Sequence, residues 1–137
     1  AYLYAQLEVC DQIQDKRMEI WNYYHQELEV LEKEGKITRP VIPEGCTHNA
    51  HMYYLKVRDM EVRTKLIHYL RENGICSVFH YIPLHTAPAG QKFGRFAGED
   101  RYTTKESERL LRLPMFYNLD MKDVEYVAEQ LKSFKEY

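Results

Sequence analysis

The sequence lacks most features that announce a function outright. No apolar run approaches the roughly 20 residues that a membrane-spanning helix needs. Neither charge sign dominates: 19 Lys and Arg against 21 Asp and Glu give a formal charge of −2. That balance leaves no electrostatic footprint for nucleic acid and no like-charge tail. The three cysteines, Cys10, Cys46 and Cys76, are odd in number and have no CxxC spacing. They read as reduced thiols of a cytoplasmic protein rather than a disulfide framework. There is no GxSxG elbow, no phosphate-cradling glycine loop, no paired-carboxylate motif, no internal repeat and no low-complexity tract. No secretory leader is visible either. The chain opens Ala1-Tyr2-Leu3-Tyr4-Ala5-Gln6-Leu7-Glu8, with no initiator Met and no capping residue, so its natural N-terminus is expected upstream.

What is present fits a single domain of 137 residues, long enough to bury a core without disulfides or a structural metal. Tyrosine is the oddity, with 12 against one Trp. An apolar ring with a polar tip suits half-buried surfaces such as clefts and interfaces.

Apolar residues at Leu3, Leu7, Cys10, Ile13, Trp21, Tyr24, Leu28 and Leu31 predict one helix over 1–34, ended by Gly35. At 1.5 Å per residue it would run about 50 Å, so it should kink or reach beyond its own domain. An irregular crossing with Pro40, Pro43 and Gly45 leads into the rest, a small domain over 36–137. His51 to Val57 reads as a strand with Tyr53, Leu55 and Val57 on one face. Asp59 is expected to cap a helix reaching Asn73, with Val62, Leu66, Ile67 and Leu70 as its apolar stripe and Gly74 as its stop. Ile75 to Ile82 reads as a buried central strand, which would enclose Cys76 as an inert thiol. A loop over 83–102 follows. Thr103 and Glu106 suggest a capping box opening a short helix. Leu111 to Met115 is expected at a sheet edge, because Pro114 lacks a ladder donor. Asp120 should cap a last helix with Val124, Val127, Leu131 and Phe134 inside. The expected fold class is α+β: a few-stranded sheet with helices packed on it and a long connecting helix in front.

For chemistry, His48, His51, His80, His85 and Cys76 invite a metal reading, but three or four ligands must converge and the spacing does not aim them together. The segment His80-Tyr81-Ile82-Pro83-Leu84-His85 sets two imidazoles and a phenol where an apolar strand meets a loop, a common location for ligand groups. The loop adds Lys92, Arg95 and Arg101 among Phe93, Phe96 and Tyr102. Cations interleaved with rings suit an anionic ligand bearing a planar base. The same residues equally describe a solvated loop whose rings pack onto the sheet, and the residues alone leave both readings open.

The His80–His85 segment resembles a signature of the DegT-type sugar aminotransferases. Ala1–Glu8, Asn49-Ala50-His51-Met52-Tyr53-Tyr54 and Leu111-Arg112-Leu113-Pro114-Met115-Phe116-Tyr117-Asn118-Leu119 are similar to the same family in order and spacing. Arg101-Tyr102-Thr103-Thr104-Lys105-Glu106-Ser107-Glu108 resembles its branch acting on dTDP-4-keto-6-deoxy sugars. The resemblance implies the small C-terminal domain of a fold type I enzyme dependent on pyridoxal phosphate (PLP). It further implies a homodimer that moves an amino group from glutamate to C4 of a nucleotide-linked keto sugar. In that family a lysine of the larger N-terminal domain carries PLP. None of the ten lysines here resembles it, so this chain is expected to hold no PLP and, alone, not to transaminate. His80, Tyr81 and His85, and then Lys92, Arg95 and Arg101, are the residues expected to face the substrate. A stand-alone binding module that kept the fold without the reaction is the alternative.

Overall fold

The long N-terminal apolar pattern resolves into three helices rather than one. The computed structural model describes residues 2–137. Its first elements are α1 (Tyr2–Leu7), α2 (Cys10–Glu27) and α3 (Glu29–Lys33). The breaks fall at Val9 and Leu28, where ψ swings to 18° and 1°. At Leu28 the bond from its amide to the Tyr24 carbonyl persists at 3.0 Å, so the helix bends around the core without stopping. Gly35 follows at φ +71°. The apolar stripe is buried only from Ile20 onward; α1 buries nothing, and Leu3, Leu7 and Cys10 are exposed.

The remaining elements are β1 (Tyr54–Lys56), α4 (Met60–Glu72), β2 (Val78–Phe79), α5 (Pro88–Phe93), α6 (Thr103–Arg109), β3 (Leu110–Arg112) and α7 (Met121–Ser133). The three strands form an antiparallel sheet in the order β1-β3-β2. Tyr54 and Val78 both sit opposite Arg112, while Leu55 and Phe79 sit opposite Leu111. The fold is α+β. One sheet face, with Tyr53, Leu55, Val57, Leu111 and Leu113, joins Ile20, Tyr24, Val62, Leu66, Leu70, Val124 and Leu131 in one core. Each leucine fully buried there contributes about 1.5–3 kcal/mol. Tyr69 ties α4 to α7 through a 2.7 Å bond from its hydroxyl to Gln130.

The two helices with the clearest local signals form as expected. Asp59 accepts from the Val62 amide at 2.9 Å, and Asp120 from the Lys122 amide at 3.0 Å. Val124, Val127, Leu131 and Phe134 are all buried.

Five expectations are overturned. The segment 75–82 is not a buried central strand: only Val78–Phe79 are paired, at the sheet edge, 41% and 44% exposed. Cys76 accordingly lies exposed. The central place goes to β3, and Pro114 does not forbid this because it lies beyond Arg112, the last ladder residue. Its carbonyl instead accepts the Tyr24 hydroxyl at 3.0 Å. The capping box does not form, since Tyr102 stands at the helix start without a side-chain cap. Glu106 is drawn to Lys56 at 2.8 Å, and Asp100 takes over the capping. The loop over 83–102 is also not structureless, because Pro88 opens α5 within it.

Candidate functional site at the end of strand β2

The chain leaves β2 through His80-Tyr81-Ile82-Pro83-Leu84-His85, and three bonds anchor this exit. Ser107 donates to the Tyr81 carbonyl at 2.9 Å, while the Thr86 amide and hydroxyl reach the Pro83 carbonyl at 3.0 and 2.9 Å. α5 then folds back so closely that a Cβ on Gly90 would lie 1.6 Å from the Leu84 carbonyl oxygen. Only glycine permits that approach. On this fixed backbone the apolar side chains point outward: Tyr81 is 69%, Ile82 62% and Leu84 84% exposed. A hollow of about 270 Å³ opens beneath them, walled by Phe79, Ile82, Pro83, Thr104, Ser107 and Arg63, with the Arg63 guanidinium 5.5 Å from the Phe79 ring centre.

The six residues expected to face the substrate occupy separate places. His85 is half-buried and clipped: its Nε2 lies 2.7 Å from Asp100 and 3.1 Å from Thr104, and its ring packs on Phe96 at 4.4 Å. Thr104 donates to the same Asp100 oxygen at 2.5 Å. The Thr104 hydroxyl, then His85, hold the Asp100 carboxyl below its ordinary range. His85 thereby leaves only Nδ1 for a ligand. His80 stands apart from this clip, against the Tyr81 ring at 4.3 Å, with its Nδ1 buried and unpaired. Burial first, then Arg112 and His51, push its pKa down. The Tyr81 ring reaches into solvent. Lys92 lies over the Phe93 ring at 5.0 Å and Arg95 is exposed. Arg101 pairs with Glu99 at 2.7 Å on the open surface, where such a pair is weak enough to exchange for a ligand.

Residue-by-residue reading missed Asp100, Thr104 and Arg112. The Asp100-to-Thr104 step is too common to notice. Arg112 had a usable signal: it is the one charge in Leu110-Leu111-Arg112-Leu113, marking the polar face of an alternating strand. The histidines of the metal reading part company. His48 lies at 4.4 Å from the Trp21 ring, in a stack that His25 joins at 4.5 Å, while His51 turns to Asn49. Between them Ala50, buried at φ +45°, holds a left-handed conformation that costs about 1–2 kcal/mol in a residue with a side chain. Among the described residues no three His, Cys, Asp or Glu groups converge on a metal position.

PLP requires a lysine amine free for a Schiff base, a donor cradle for its phosphate and a partner for its ring nitrogen. The residues here do not fit it. No lysine is buried, and Lys16, Lys33, Lys36, Lys56, Lys65 and Lys132 are each engaged by a carboxylate.

A small three-stranded antiparallel sheet with helices packed on it is the α+β fold of domains of PLP aminotransferases. Residues 1–132 match the DegT/DnrJ/EryC1/StrS aminotransferase family, and the chain belongs to that family of PLP-dependent sugar aminotransferases. It is 33% identical over 131 residues to an uncharacterised protein of Methanocaldococcus jannaschii, covering 93% of this chain and 33% of that protein. To the dTDP-4-dehydro-2,3,6-trideoxy-D-glucose 4-aminotransferase of Saccharopolyspora spinosa it is 25% identical over 135 residues, covering 97% and 33%. Its fold is similar to that of the aminotransferase TlmJ from Streptoalloteichus hindustanus, with a TM-score of 0.83 at 26% identity over 95% of this chain and 34% of that one. The chain thus spans about a third of the length of the relatives it matches. No helix among the described residues is long and apolar enough to cross a membrane.

Proposed function

We propose that the chain is the C-terminal substrate-pocket domain of an aminotransferase that moves an amino group from glutamate to C4 of a dTDP-4-keto-6-deoxy sugar. The product would be dTDP-4-amino-4,6-dideoxygalactose, of the kind used for enterobacterial common antigen, and the working enzyme a homodimer. PLP supplies the electron sink for such a transfer and would be held by residues outside this chain. The part left to these residues is recognition: Tyr81, Ile82 and Leu84 offer apolar surface, while His80 and His85 offer ring nitrogens for hydrogen bonds to sugar or nucleotide.

The observation that carries this reading is the strand end itself. A backbone pinned by Ser107, Thr86 and the Gly90 contact holds three large apolar side chains in solvent. That arrangement costs stability and makes physical sense as one wall of a pocket. In the complete enzyme, His80→Ala and His85→Ala should each raise KM for the sugar nucleotide about 3- to 10-fold, the value of one hydrogen bond. The PLP absorbance should be unchanged. Wild-type kinetics in both variants would mean that the strand end is packing.

A further inference from the structure

The sheet face turned away from the core is uncovered. Tyr54 and Lys56 of β1, Leu110 and Arg112 of β3 and Val78 of β2, with Met52, Cys76 and His80 in the segments that flank these strands, all remain at least partly exposed. At the end of this face where β3 finishes lies a hollow of about 300 Å³ walled by His51, Met52, Cys76, Val78, Arg112 and Pro114.

Arg112 is the anomaly there. Five arginines are half-buried: Arg17, Arg39, Arg63, Arg109 and Arg112. The first four all have acceptors, namely the His51 carbonyl, Glu32, the Ser107 carbonyl and the Val57 carbonyl. Among the described residues Arg112 has none; its Nε is buried without a partner, as are those of Arg17 and Arg63, but their guanidinium groups are bonded through another nitrogen and that of Arg112 is not. A partly desolvated guanidinium left without an acceptor is destabilising unless something else supplies one. Its surroundings do not. No carboxylate lies within ion-pair distance of Arg112, His80 or His51 among the described residues. His80 adds a second unpaired buried nitrogen on the same face, and its pKa is pushed down by burial first and then by Arg112 and His51. His51 is in turn held in place: Arg17 donates to its carbonyl at 2.7 Å, and Asn49 lies 3.2 Å from its Nδ1.

We infer that Arg112, His80 and His51 form an oxyanion site on the open sheet face, with Arg17 positioning His51. The planar guanidinium fork takes two oxygens of a phosphoryl or carboxylate group, and the imidazoles donate to the remainder. Resting on the aminotransferase reading, the anion is one carried by a reactant, either the diphosphate of the sugar nucleotide or a carboxylate of the amino donor. The site is separate from the surface cations Lys92, Arg95 and Arg101, and it is better built, because Arg112 and His80 are partly desolvated and His51 is held by Arg17 and Asn49.

Inorganic pyrophosphate and L-glutamate, titrated separately into the chain, test the inference through the His80 imidazole resonances. A saturable shift with at least one anion, weakened about tenfold or more in Arg112→Gln with spectral dispersion intact, supports the site. Whichever anion binds more tightly then assigns the reactant. If Arg112→Gln does not fold, alkylation of Cys76 in the unmutated chain replaces it. The bound anion should slow labelling of Cys76, which lines the hollow, and leave Cys10 and Cys46 unaffected. No saturable response to either anion, or one that survives Arg112→Gln, or unprotected Cys76, overturns the site. Such a failure would leave the kinetic test on His85 untouched, so the two readings fall independently.

Discussion

At the scale of single residues, the loop beyond β2 is held by one hydrogen-bonded knot rather than by burial. His85, Thr104 and Asp100 meet within 3.1 Å, and Asp100 also accepts from the Thr104 amide at 3.3 Å, serving as the cap that Thr103 does not provide. The Asp100 carboxyl is held below its ordinary range, so the knot is fully present above the unfolded carboxyl's value near 3.9. It loosens as pH falls through the still lower folded value. At neutral pH, Asp100→Asn removes the charge that His85 and Thr104 share. The expected outcome is faster tryptic cleavage after Lys92, Arg95 and Arg101, with the global thermal midpoint nearly unchanged, because α5 buries no residue. Cleavage at the wild-type rate would show that packing of Phe96 on His85 alone holds the loop.

At the scale of elements, the sheet has its apolar investment in β3. Leu111 is fully buried, and its strand is paired on both sides. Val78, although in the more apolar segment, faces the open side of an edge strand. Leu111→Ala should therefore cost about 2–5 kcal/mol through lost burial and the cavity left behind. Val78→Ala should cost less than about 1 kcal/mol, since little of its area leaves water. Urea unfolding of the two variants checks the order of the strands directly. Equal losses would mean that Val78 is buried as deeply as Leu111, against the edge position of β2. The same contrast explains what was legible beforehand. Helix α4 could be drawn to within a residue at both ends and α7 at its start, because Asp59, Asp120 and the apolar spacing act over a single turn. The strands could be located but not ordered, because an apolar run fits an edge as well as a centre.

At the scale of the whole molecule, one aromatic cluster joins the N-terminal helices to the sheet. Trp21 is flanked by His25 and His48, and Tyr53 closes the group at 5.4 Å from Trp21 and from Tyr24. Burial first, then Arg39, lowers the His25 pKa. Between the folded and unfolded values the unfolded chain binds more protons, so stability climbs with pH in that window. It is lost as pH falls through the unfolded histidine range near 6.5. His80 has the same sign. The thermal midpoint should be lower at pH 5.5 than at pH 7.5, and His25→Gln should flatten part of that difference. A midpoint that does not move between these conditions would mean that His25 titrates alike in both states.

The sequence by itself determined what local chemistry can decide. The bounds of α4, the start of α7, the inward faces of 53–57 and 124–134, and the Gly35 and Gly74 stops depend on caps, periodicity and backbone freedom within a few residues. The family signature was also readable, since it is a string of residues in order. Tertiary structure alone decided the rest. It put β3 in the centre, exposed Cys76 and gave Asp100 the capping role. It also separated His80 from His85 and left Arg112 without an acceptor. Each of these outcomes depends on which distant residues the closed core brings alongside, and on which polar groups then find a partner. Spacing along the chain does not encode either one.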